Sequence, residues 1–261
     1  MYDDRIIILF KFGEKKWMQK LVDGNVNFSC AGNFINQAIK TGNVIQGDPY
    51  EGVFARLKVS DPRISDMIEK LGDDLEILTD TQQYVMLRRK SAKLKPIFCL
   101  YGYKNADALN DCTNPKIGNN YIKHIFHDEM YSGFSNSLLA YNVISDAYRF
   151  TQVSFVKPSA FVNRIKIALA IKGIGYKMDN VNYTEFEKDT FFIEPTSSYR
   201  ELFYKFPRYK HQHECRICLK NMLFENIFER YNLEIPKLSN DEYRITHTPF
   251  YMTTNAVLKR I

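Results

Sequence analysis

Residues 205–219 read Lys-Phe-Pro-Arg-Tyr-Lys-His-Gln-His-Glu-Cys-Arg-Ile-Cys-Leu, and this run holds the side chains best suited to chemistry. In an extended chain alternate side chains share a face, so Gln212, Glu214 and Arg216 point one way and His211, His213, Cys215 and Ile217 the other. A carboxylate flanked by an amide and a guanidinium is oriented and kept ionised, as a catalytic or ligand-gripping acid must be. The bland alternative is an ion pair on the surface of a sheet.

His211, His213, Cys215 and Cys218 also supply zinc-type ligands. A strand turns the first three to one face and Cys218 to the other, so buried thiols and packed imidazoles are expected instead. His124 and His127, followed by Asp128 and Glu129, would share a helix face, with a solvated surface as the simpler reading. Asp48 and Glu51, in Gly47-Asp-Pro-Tyr-Glu-Gly52, are suited to a cation or a ligand hydroxyl, or to ordinary turn capping. Glu14-Lys15-Lys16 has the order of a nuclease Glu-x-Lys but falls on an expected exposed helix. Phosphate-loop, nucleophile-elbow and dinucleotide fingerprints are absent from the sequence.

The elements that must position these residues are mostly strands. Alternation and apolar runs predict strands at 5–12, 26–30, 53–59, 75–78, 84–89, 96–101, 141–144, 152–156 and 175–183. Helical spacing predicts helices at 14–22, through Phe34 and Ala38, at 159–171 after Pro158, near 199–204, and at 222–231. Trp17, Leu21 and Val22 are expected on one buried face, as are Phe161, Ile165, Ala168 and Leu169. This order predicts a mixed α+β fold, a mainly antiparallel sheet with flanking helices. We read residues 1–261 as one domain, with the Asn-, Gly- and Asp-rich stretch 103–137 as a lid or insertion.

The chain of 261 residues is 45% hydrophobic and 25% charged, which suits a folded protein. A net charge of +6 is compatible with nucleic acid or a phosphate-bearing ligand. The dense basic run Arg88, Arg89, Lys90, Lys93 and Lys95 reads as a solvated loop or strand edge. Five cysteines, no secretory leader and no membrane-length apolar run predict a cytoplasmic chain with reduced thiols and no membrane partner.

Taken in order, several short motifs resemble a poorly characterised bacterial and phage family of unknown function. They are Lys11-Phe12; Asp23-Gly-Asn-Val-Asn-Phe-Ser29; Asp48-Pro-Tyr-Glu51 after a long insertion; the strand around Ile97-Phe-Cys-Leu100; and Lys205, Tyr209, Gln212, Glu214 and Arg216. That family is in turn similar in layout to ADP-ribosyltransferases. The resemblance implies a cleft for NAD in which Glu214 holds the nicotinamide-ribose hydroxyl and stabilises an oxocarbenium-like transition state. It implies that Gln212 orients the acceptor, that Lys11 faces the adenylate part, that Phe12 beside it belongs to the cofactor-binding set, and that Ser29 braces the nicotinamide pocket. Asp48, Glu51, Tyr209 and Arg216 complete the expected ligand-binding set. Lys11 departs from the His or Arg usual there, since an ammonium cannot reproduce either donor geometry.

Two functional readings follow. One is an ADP-ribosyltransferase-like enzyme, in phage–host conflict, that uses NAD to modify nucleic acid or protein, or hydrolyses NAD. The other is a non-catalytic binding module on the same scaffold, recognising a nucleotide, nucleic acid or partner protein.

Overall fold

Alternating apolar runs and amphipathic stretches organise the chain largely as their spacing predicts. The structure, a computed structural model, describes residues 6–41, 47–104, 121–124, 150–193, 199–247 and 252–255. The architecture is α+β with mainly antiparallel strands. In chain order the elements are β1 (Ile6–Glu14), α1 (Lys15–Val22), β2 (Asn25–Cys30), α2 (Ala31–Thr41), β3 (Val53–Lys58), α3 (Arg63–Leu71), β4 (Leu75–Thr79), β5 (Tyr84–Arg89), α4 (Lys90–Lys93) and β6 (Pro96–Lys104). There follow β7 (Tyr121–His124), β8 (Phe150–Phe155), α5 (Pro158–Ile171), β9 (Tyr176–Asn180), β10 (Asn182–Tyr183) and β11 (Thr190–Phe191). The last are β12 (Tyr204–Lys205), β13 (Glu214–Leu219), β14 (Tyr231–Glu234), β15 (Tyr243–Thr246) and β16 (Met252–Asn255).

Two compact units emerge, one of Met1–Asn25, Leu100–Ile167 and Glu234–Ile261, the other of Val26–Cys99 and Ala168–Leu233. In the first, β1 lies between β8 and the second half of β6, and β15 pairs with β8. Phe10, Phe150 and Phe155 are buried, and Phe161 of α5 stacks on Phe155 with ring centroids 4.0 Å apart. The predicted α5 stripe of Phe161, Ile165, Ala168 and Leu169 is buried throughout. Helix α1 buries Met18, Leu21 and Val22, whereas Trp17 is 49% exposed, against expectation. The i, i+3, i+4 stripe centres on Met18, leaving the indole at its edge under the ammonium groups of Lys16 and Lys20.

The second unit carries the four-stranded sheet β11-β3-β5-β4. Phe54, Leu57, Leu75, Leu87 and Ile193 form its core, against which Ile64, Met67 and Leu71 of α3 pack. Strand β2 pairs with the start of β6, and β13 pairs with both β6 and β9. The two-residue strands β10 and β12 lie parallel, with Asn182 opposite Tyr204 and Tyr183 opposite Lys205.

Several expectations need correction. Residues 63–71, between the strands expected at 53–59 and 75–78, form a helix that the spacing does not predict; just before it, the Asp61 carboxylate accepts the Arg63 backbone N–H at 2.9 Å. In place of the helix expected at 222–231, residues 222–230 are irregular chain and Tyr231 opens β14. There Asn226 accepts the Phe228 N–H and Glu229 the Glu225 N–H, local bonds that compete with helix formation. The strand expected over 175–183 is two strands, β9 and β10, and the helix near 199–204 is a 3-10 turn followed by β12. The chain beyond residue 230, for which no strand is predicted, contributes β14 and β15. His124 ends a strand paired with β16 rather than opening a helix; His127, Asp128 and Glu129, the strand expected at 141–144 and most of 103–137 lie outside the described residues.

Candidate functional site

Strand β13 begins at Glu214, later than the spacing predicts. Pro207 starts a 3-10 turn, Pro207–Gln212, and His213 takes a left-handed conformation (φ 39°). Gln212 is therefore on a turn, not on the strand with Glu214. From Glu214 onward the alternation holds: Glu214 and Arg216 share a face and are bonded, Nε to Oε1 at 2.5 Å and Nη2 to Oε2 at 3.0 Å.

Arg216 also donates to both carboxylate oxygens of Glu51, Nη2 to Oε2 at 3.0 Å, and to the Leu202 carbonyl. Lys205 donates from Nζ to Glu214 Oε2 and to Gln212 Oε1, each at 2.8 Å, and stands 3.6 Å from Glu51. Tyr183 accepts the Glu214 backbone N–H through its hydroxyl at 2.8 Å. Glu51, Arg216 and Lys205 are at most 3% exposed and Glu214 is 8% exposed. The acidic loop and the closing segment, far apart in sequence, thus meet in one buried cluster of two carboxylates and two cations.

The loop is built for this meeting. The Asp48 carboxylate accepts the Tyr50 N–H at 2.8 Å, an Asx turn around Pro49. Gly52 has φ 77°, which glycine adopts without strain. A Cβ on Gly47 would come within 2.5 Å of the Phe34 carbonyl, so only glycine fits against α2 there. Arg88 clamps the loop, donating to the carbonyls of Pro49 (3.0 Å) and Glu51 (3.1 Å) while its Nε binds Glu76 at 2.8 Å.

The solvated reading of the basic run thus holds for Lys90, which is exposed, but not for its buried members. Arg88, Arg89 and Lys95 are buried, Arg89 pairs with buried Glu201 at 2.7 Å, and Lys95 donates to the Lys220 carbonyl. A sequence window shows charge density but not which carboxylates the sheet register brings alongside. The opposite charges that face each other across β4 and β5, Glu76 and Arg88, are the signal that could have been sought.

Electrostatics follow from the census of charge. Coulombic attraction by Arg216 and Lys205 overcomes the burial of Glu214 and holds its carboxyl far below the usual range. Glu214 and Glu51 likewise raise Arg216 and Lys205 against their burial. Asp48, 1% exposed, is the surplus acid. Burial and the neighbouring Glu51 push its pKa up to about 6, and its Oδ2 has no hydrogen-bond partner among the described residues. Tyr209, buried under the Lys205 ammonium (5.5 Å to the ring) and the Arg208 guanidinium (5.0 Å), is pushed up to about 12, chiefly by burial.

The expected residues thus fall into groups. Asp48, Glu51, Tyr209, Gln212, Glu214 and Arg216 come together, and Lys205, which the sequence reading left out of the site set, ties them. Ser29 is on β2 opposite Ile97, and its buried hydroxyl has no hydrogen-bond partner among the described residues. Lys11 and Phe12 are on β1 of the other unit, opposite Val153 and Gln152. Cys215 and Cys218 are buried thiols pushed up to about 12 by desolvation, too high for thiolate chemistry near neutrality. Among the described residues no group of three His, Cys, Asp or Glu side chains is disposed to hold a metal ion.

The same unit opens a cleft of about 700 Å³, lined by residues of β9, β10 and the 3-10 turn Arg200–Phe203. It lies across β10 and β12 from the cluster: Asn182 and Tyr204 line the cleft, while their neighbours Tyr183 and Lys205 reach Glu214. No protein-family model matches the chain, and no curated protein or solved structure matches it either.

Proposed function

We propose that the chain handles NAD as an ADP-ribosyltransferase-like enzyme, with nucleic acid or protein as acceptor, or water in the hydrolytic variant. The observation that supports this is the joining of the Asp48–Glu51 loop to Glu214 and Arg216 in one buried cluster. Burying four charges is costly, and a structural role alone would be served as well by apolar side chains. In this reading the bond from the nicotinamide nitrogen to the ribose C1′ breaks and its electron pair leaves with nicotinamide. Glu214, ionised throughout, stabilises the cationic sugar, and Gln212 orients the acceptor that attacks C1′. The buried Oδ2 of Asp48, without a partner among the described residues, suits a ribose hydroxyl, and its near-neutral titration lets it receive the proton that the acceptor loses.

Glu214→Gln is expected to lower consumption of labelled NAD about 10²–10³-fold with the circular-dichroism spectrum retained. A folded variant that still turns NAD over at the wild-type rate would remove Glu214 from the reaction. Gln212→Ala, half-buried on its turn, is expected to impair transfer to the acceptor more than hydrolysis.

A second reading, a non-catalytic nucleotide or nucleic-acid binding module, is favoured by one observation. Glu214 already spends both oxygens on Arg216 and Lys205. Tight binding without any NAD turnover would select it.

A further inference from the structure

The cleft beside β10 and β12 has a composition unlike that of the buried cluster. Its lining includes Arg200 and Lys220, neither of which has an ion-pair partner among the described residues. Lys177 also lines it, but is matched by Asp179 at 2.8 Å, so that acid does not neutralise the other two cations. Tyr199 and Tyr204 present half-buried rings, with the Lys220 ammonium 5.1 Å from the Tyr199 centroid. Asn180 and Asn182 add exposed amides.

We propose that this cleft binds a nucleotide unit, with phosphate against Arg200 and Lys220 and the base stacked on the tyrosine rings. Unmatched cations beside aromatic faces recognise a charged backbone carrying planar bases, and the asparagine amides can bond base edges. A volume of about 700 Å³ falls within the range of small-ligand sites. The cleft does not depend on the NAD reading, because Glu214 lies on the other side of the β10–β12 pair and the readout is binding rather than turnover.

The chemistry is shared by free nucleotides and single strands. The experiment is a fluorescence-anisotropy titration of the full chain with a labelled mixed-sequence single-stranded 12-mer, competed with AMP, across a salt series. Replacing both cations (R200Q with K220Q) should weaken strand binding about 10-fold or more and reduce the slope of log affinity against log salt by about 1.4, two phosphate contacts at about 0.7 each. Replacing two exposed lysines instead, Lys166 of α5 and Lys172 just past its end (K166Q with K172Q), changes the net charge equally and should leave both nearly unaltered. Competition by AMP would identify a mononucleotide site, and binding of the strand without AMP competition would identify a strand site. Equal losses in the two double variants, or no binding of either probe by the wild-type chain, would overturn the proposal.

Discussion

The two faces of one short strand pair show opposite ways of using charge. On the side of Tyr183 and Lys205, Glu51, Glu214, Arg216 and Lys205 are buried and matched. On the side of Asn182 and Tyr204, Arg200 and Lys220 line an open cleft with no ion-pair partner among the described residues. A matched buried cluster fixes geometry, because losing any member strands its partner in a poor solvent for ions. Unmatched cations at a wet surface contribute little to folding and are available to a ligand. The contrast separates what holds the site together from what greets the ligand.

The most severe break is Arg216→Met. It leaves Glu51 and Glu214 facing each other with only Lys205 between them, and should cost about 3–5 kcal/mol in chemical denaturation. Asp48→Asn should act in the opposite direction. Its folded pKa of about 6 lies above the ordinary 3.8, so the folded state holds the proton more tightly. Stability associated with Asp48 is therefore greatest below the ordinary value and declines as pH rises through about 6. The variant should gain on the order of 1–3 kcal/mol at pH 8, with the difference shrinking toward pH 4, as followed by melting curves across that range.

Arg88→Met releases the Pro49 and Glu51 carbonyls and should lower stability by about 1–3 kcal/mol. NAD consumption should fall with it as the acidic loop loosens, and a variant with full activity would show that the loop holds itself. At the small end, the R200Q with K220Q variant should stay within about 0.5 kcal/mol of wild type in the same denaturation assay while losing its ligand. A large stability loss there would erase the contrast between the two faces.

Local spacing carried much of the fold. The alternation of 53–59, the stripe of Phe161, Ile165, Ala168 and Leu169, and the pairing of Glu214 with Arg216 two residues on all depend on near neighbours. The helix expected at 222–231 failed because side-chain caps outcompeted a weak periodic signal. Gln212 was misplaced because Pro207 and the left-handed His213 delay the strand, although Gln212 still reaches Lys205. The basic run was misread because a window cannot show that β5 lies against β4, with Glu76 opposite Arg88.

Residue types and their order were enough to mark Glu214, Arg216 and the Asp48–Glu51 loop as material for a site, because an acid's neighbours along a strand are set by a two-residue period. Which cation closes the cluster, how far each charge is removed from water, and which side of β12 remains open came from tertiary packing alone. Those properties depend on groups distant in sequence, Glu51 on Arg216 and Arg88 on the loop carbonyls, and on burial, which raises the Asp48 pKa beside Glu51. Coulombic attraction and desolvation depend on distance through space and on the surrounding medium, and a linear sequence contains neither until the chain has folded.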